Sequence, residues 1–185
     1  LEILSSKITN SEFKLNCITE INPKDNTTLE GLYLSEGIYC TQCEPEGFRK
    51  ITYFLDRPDV MTKFKVRIEG NYKFLLSNGN LISQGQGWAE WNDPWPKPSY
   101  LFALVAGNLK VIEDEFVSMT NKKILLQIYV EEGNEDKCEH AMNSIKKCMK
   151  WDEEIYNREY DLERFMVVAI NDFNMGAMEN KGLNI

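Results

Sequence analysis

The chain has 185 residues, 43% hydrophobic and 27% charged, with a net charge of −8. This length and balance give a folded chain with a sizeable core and exclude a disordered one. No basic block offers a phosphate-binding face, which excludes nucleic acid as a partner. The acidic balance suits cationic or amine-bearing ligands better.

The order of elements begins with strands. The chain opens at Leu1, without an initiator Met, in a stretch that reads as strand. "KFKVRI", Lys63 to Ile68, alternates polar and apolar residues, the mark of a half-buried strand. "FLLSNGNLI" places Asn78-Gly79 between two apolar arms and predicts a two-residue hairpin. "GWAEW", Gly87 to Trp91, predicts a further strand. "NDPWPKPSY" carries Pro94, Pro96 and Pro98, so helix and central strand are excluded and an extended connector is expected. "YLFALVAG" reads as a buried strand ending at Gly107.

Past Gly107 the texture changes. "KKILLQIYV", Lys122 to Val130, predicts a strand, and the segment from Glu131 to Tyr156 predicts a helix. Asn134 is positioned to cap it, with Glu135 and Asp136 where the helix dipole favours anions. Ala141, Met142, Ile145, Cys148 and Met149 recur at helical spacing as one apolar stripe. "RFMVVAI", Arg164 to Ile170, predicts a short buried strand. A boundary near Gly107 is expected, with an all-β domain over 1–107 and an α/β unit opening over 108–185. "KGLNI" stops at Ile185 in an apolar stretch, and both ends read as cut, as in a piece of a longer protein. No apolar run of about 18 residues is present, so no helical membrane span is predicted.

The odd count of five cysteines (Cys17, Cys40, Cys43, Cys138 and Cys148) argues against a disulfide framework and for a reducing compartment, hence a cytoplasmic location. Cys40 and Cys43 form a C-x-x-C. A redox pair of this kind opens a helix, and a zinc site needs two more ligands at suitable spacing. Neither context is present, and buried structural cysteines are the expected reading. His140 is the only histidine. A catalytic metal site and a Ser-His-Asp triad therefore lack their parts, and a solvated helix-surface role is expected.

"NDFNMGAMENKGLNI", Asn171 to Ile185, follows the last predicted strand. Gly176 and Ala177 would let another backbone approach closely, and Glu179 follows as an acid. Glycine beside polar residues more often makes a plain turn. The residues alone leave both readings open.

The wording of this segment carries more. "GAMEN", Gly176 to Asn180, resembles the exopeptidase signature of the M1 family of zinc aminopeptidases. "YCTQCEPEGFRKITYFLDRPDVM", "LLSNGN", "YLFALVAG", "MKWDEE", "EYDL" and "FNMGAMENKGLNI" are similar to the bacterial alanyl aminopeptidase branch of that family, in one order. The resemblance implies a mainly β N-terminal domain of saddle-like sheets, followed by the start of an α+β thermolysin-like catalytic domain. It implies a cytoplasmic, monomeric metalloprotease of peptide catabolism, acting on peptides with a free N-terminus and a preference of the Ala, Arg and Lys kind.

Site roles follow from the same resemblance. Glu44 matches a glutamate that binds the substrate α-amine, with Gln42 beside it. Glu179 matches the second amine anchor. Gly176 and Ala177 match positions whose backbone aligns the peptide, and Met175 cushions the first side-chain pocket. Met178 completes the motif by packing and Asn180 by supporting the loop. The family's H-E-x-x-H and further Glu, which hold zinc and include the general base, are not in this sequence, nor is the oxyanion tyrosine. The expectation is a substrate-anchoring portion that binds no metal itself. The rival expectation is a binding module for peptide N-termini without hydrolytic machinery.

Overall fold

The computed structural model describes residues 12–185. The strand expected at Leu1 lies outside them. Eleven strands and one α-helix form three sheets among the described residues. β1 (Gly31–Ser35) and β2 (Ile38–Gln42) form a hairpin whose turn, Glu36-Gly37, has positive φ at both residues. β4 (Phe74–Ser77) and β7 (Leu104–Gly107) complete the first sheet in the order β1-β2-β7-β4. The second sheet is β3 (Thr62–Glu69), β6 (Trp88–Lys97) and β5 (Asn80–Gly85), with β6 central.

The strand expected at Lys63–Ile68 is β3. The hairpin expected at Asn78-Gly79 is not formed. The turn is there, with Gly79 at φ 89°, but its arms part: β4 pairs with β7 and β5 with β6. The turn passes the chain from one sheet to the other. The proline segment is likewise corrected. Pro94 and Pro96 lie within β6, beyond Asn92, where its pairing with β5 ends. One side of the strand is free there, and missing N–H groups cost no ladder bond.

The third sheet, ordered β11-β10-β9-β8, holds β8 (Lys110–Val117), β9 (Lys123–Val130), β10 (Arg164–Val168) and β11 (Leu183–Asn184). β9 and β10 run parallel, joined by the crossover helix α1 (Glu139–Tyr156). Alternate side chains take opposite faces. Ile124, Leu126, Ile128 and Val130 of β9 pack with Met142 and Met149 of α1. Tyr129, Met166, Val168 and Leu183 join Tyr33, Cys40 and Trp91 in one core shared with the first two sheets.

Two details of the helix differ from expectation. Asn134 caps nothing with its side chain; a short 3₁₀ turn, Glu135–Lys137, precedes α1, and Cys138 stands at the helix start. The apolar stripe contracts to Met142, Ile145 and Met149, because Ala141 and Cys148 are exposed. No helix among the described residues is long and apolar enough to cross a membrane.

Candidate functional site

The end of β2 is held by the core. Gln42 is 2% exposed, yet neither atom of its amide has a hydrogen-bond partner. Buried amides are nearly always paired, so Gln42 is an exception within the chain. Cys43 is fully buried with Phe48 and Phe102. The chain then turns hard. The Gly47 N–H donates to the Cys43 carbonyl at 2.9 Å, and a Cβ on Gly47 would lie 2.3 Å from the Gln42 carbonyl oxygen. Glu44 sits half-buried on this turn. Glu46 points to solvent, 3.5 Å from the Arg49 guanidinium.

Met175–Asn180 is built differently. Asp172 precedes it, docked on β1: its carbonyl accepts from the Tyr33 hydroxyl at 2.9 Å and its carboxylate from the Ser35 hydroxyl at 2.8 Å. The Asn174 amide donates to the Thr28 carbonyl at 2.9 Å. After Asn180, the Lys181 carbonyl accepts from the Asn78 amide at 2.9 Å. Met178 is fully buried and exchanges both backbone hydrogen bonds with Ile185, at 2.6 and 3.1 Å. Asn180 is 1% exposed, and its Oδ1 has no partner. Met175, Gly176, Ala177 and Glu179 face outward, and a Cβ on Gly176 would meet nothing within 4 Å.

Strand register brings the two pieces together. Gln42 pairs with Gly31 on one side of β2. On the other side, the ladder runs Cys40 opposite Val105 and Leu104 opposite Ser77. Extended outward, Gln42, Ala103 and Asn78 stand level at one end of the sheet. Asn174 is tied beside β1 at that end and Lys181 beside β4. The outward-facing segment thus crosses the end of the sheet that holds the buried Gln42 and leads into Glu44.

The other sequence candidates stay apart from it. Burial pushes the Cys40 thiol up to about 11 and the Cys43 thiol up to about 12. Thiols so rarely ionised near neutral pH are poor nucleophiles and poor metal ligands. His140 is exposed on the first turn of α1. Among the described residues, no group of three His, Cys, Asp or Glu side chains is placed to hold a metal ion. Sequence reasoning missed Tyr33, Ser35, Asn174 and Asn78 as supports; only Asn78 gave a signal, and that was read as a hairpin.

The sequence of this scaffold matches a peptidase family in two stretches. Residues 3–101 match the Peptidase M1 N-terminal domain, and residues 140–185 match the Peptidase family M1 domain. The chain belongs to peptidase family M1. It is 55% identical over 180 residues to aminopeptidase N of Caulobacter vibrioides, covering 94% of this chain and 21% of that protein. Against aminopeptidase N of Escherichia coli it is 54% identical over 181 residues, with the same coverage of 94% and 21%. A crystal structure of Legionella pneumophila aminopeptidase A in complex with aspartic acid superposes with a TM-score of 0.80 at 39% identity, covering 84% of this chain and 19% of that one. The chain therefore spans about a fifth of the length of the curated relatives it matches.

Proposed function

We propose that this chain is the amine- and backbone-anchoring portion of a cytoplasmic, monomeric zinc aminopeptidase that removes N-terminal residues from peptides, with a preference of the Ala, Arg and Lys kind. The observation that carries the reading is the crossing of Met175–Asn180 over the sheet end that presents Gln42 and Glu44. Residues 1–107 supply Gln42 and Glu44; residues 108–185 supply the crossing segment.

Each residue then has a physical task. Glu44 and Glu179 face the substrate ammonium from two sides. A unit charge pair about 4 Å apart is worth about 1 kcal/mol in water and about 4 kcal/mol at an effective dielectric near 20. Substrate binding that excludes water moves the site toward the larger figure. An acetylated or internal peptide leaves both acids desolvated and unpaired, so a free N-terminus is selected. Gln42, buried beside this turn with its amide unsatisfied within the chain, supports Glu44 from behind, its Oε1 the atom able to accept from that ammonium. The open backbone at Gly176 and Ala177 aligns the peptide, and Met175, 42% exposed, offers a soft wall that tolerates different first side chains. Met178 and Asn180, both buried, hold the segment in shape.

Among the described residues no side chains form a metal site, so the reading places zinc on residues outside this sequence, and no step is derived through it. The test is Glu179→Ala in the full-length protein. The expected result is a fall of about a hundredfold in kcat/KM on an alanyl anilide, within the range the charge pair allows. Activity surviving nearly unchanged overturns the anchoring role.

A further inference from the structure

Asn78 is 2% exposed and uses its whole side chain. Its amide nitrogen donates to the Leu101 carbonyl at 3.0 Å and the Lys181 carbonyl at 2.9 Å; its Oδ1 accepts from the Ala103 N–H at 2.7 Å. Two of these partners lead into β7, level with Gln42. The third is the carbonyl directly after Asn180. One side chain therefore ties the sheet end that presents Gln42 and Glu44 to the segment that presents Glu179.

The backbones agree with this. Gly79 has φ 89°, and a Cβ there would lie 2.3 Å from the Asn92 carbonyl oxygen. Gly182 has φ 79°, and a Cβ there would lie 3.6 Å from the Gly79 nitrogen. The two turns lie side by side, and a Cβ on Gly182 would also press on the Leu162 side chain at 2.8 Å. The ammonium of Lys181 is tied separately to Asp161, at 2.6 Å. At the other end of the segment, Asn174 makes the matching bond to the Thr28 carbonyl. Asparagine amides thus flank Met175–Asn180 on both sides, with the buried Met178 pinned to Ile185 between them.

We infer that Asn78 is a positioning residue that sets the distance between Glu44 and Glu179, and so the selectivity for a free α-amine. The inference rests on the anchoring reading above. Asn78→Asp keeps the acceptor for Ala103 but turns the donor toward Leu101 and Lys181 into a repelled oxygen, so the crossing segment lifts from the sheet end.

The experiment uses the full-length protein and two inhibitors that differ only in the α-amine, alanine hydroxamate and propionohydroxamate. The ratio of their inhibition constants measures amine preference and does not move with a general loss of stability. Asn78→Asp is expected to reduce the ratio about tenfold, the weight of one lost buried hydrogen bond. A folded Asn78→Asp protein with an unchanged ratio overturns the inference. Should that variant fail to fold, Asn78→Ala, which removes the same donor without burying a carboxylate, carries the test. A severalfold drop in the ratio supports the inference, and an unchanged ratio overturns it. Glu179→Ala separates the two levels. A ratio that collapses in Glu179→Ala but stays whole in the asparagine variants sinks the positioning role alone. A ratio untouched in Glu179→Ala removes the anchoring reading, and this inference with it.

Discussion

The two halves of the site are held by opposite means. The end of β2 is held from beneath: Cys40 and Cys43 are fully buried, Phe48 and Phe102 close around the turn, and Gly47 leaves no space beside Gln42. Met175–Ala177 faces outward and is held from its ends, by Asn174 and Asp172 on one side and by the buried Met178, with Asn78 beyond it at Lys181, on the other. A core sets its contents by packing, which resists displacement in every direction. A sling fixes its endpoints and leaves its backbone groups free for another chain. The difference suits a site in which a carboxylate must stand still while a peptide backbone lies alongside.

The largest effect comes from breaking the core-held half. Trp91 is 1% exposed, packs in the core that contains Cys40 and Tyr33, and donates its indole N–H to the Leu75 carbonyl at 2.8 Å. Trp91→Ala should cost about 3–5 kcal/mol, read as a lower urea midpoint for the full-length protein. A cost below about 1 kcal/mol would show that the platform does not depend on this core. Next in size is the junction. Gly79→Ala places a methyl against the Asn92 carbonyl at a φ that disfavours side chains, and should cost about 1–3 kcal/mol in the same assay. An unchanged midpoint would show that the sheet-to-sheet turn can move without harm, and that the sling has no fixed end there.

These residues also show what the sequence could convey. Periodicity located β3, β9, β10 and α1 because each carries its signal within a single element. Asn78-Gly79 was legible as a turn but not as a sheet crossing. A local dipeptide sets the turn; which strands its arms join is decided by pairing of β5 with the next strand, β6, and of β4 with the more distant β7. β8 passed unnoticed because Glu113, Asp114 and Glu115 interrupt its apolar residues on a half-exposed edge. At the site, the residue types favoured a plain turn over a docking edge at Gly176-Ala177, and resemblance to a family supplied the roles. Of its supports, Tyr33, Ser35 and Asn174 gave no signal. The Tyr33 bond to Asp172 spans 139 residues, and no local pattern encodes a contact at that range.

The smallest perturbation sharpens the comparison without changing a residue. The exposed thiols of Cys17 and Cys148 should react with iodoacetamide in the folded protein at pH 8, whereas Cys40 and Cys43 should not. Two effects act together on the buried pair. Their thiols are pushed up to about 11 and about 12, so only about one in a thousand or fewer is ionised at that pH, and the reagent has no path to them. Labelling of Cys40 and Cys43 then reports opening of the strand end itself, and its rate, followed by peptide mass mapping, should track unfolding in urea. Fast labelling in the native protein would mean that the turn carrying Glu44 opens as readily as the sling. The distinction between a packed half and a suspended half would then fail at the residue where the amine-anchoring reading most needs it.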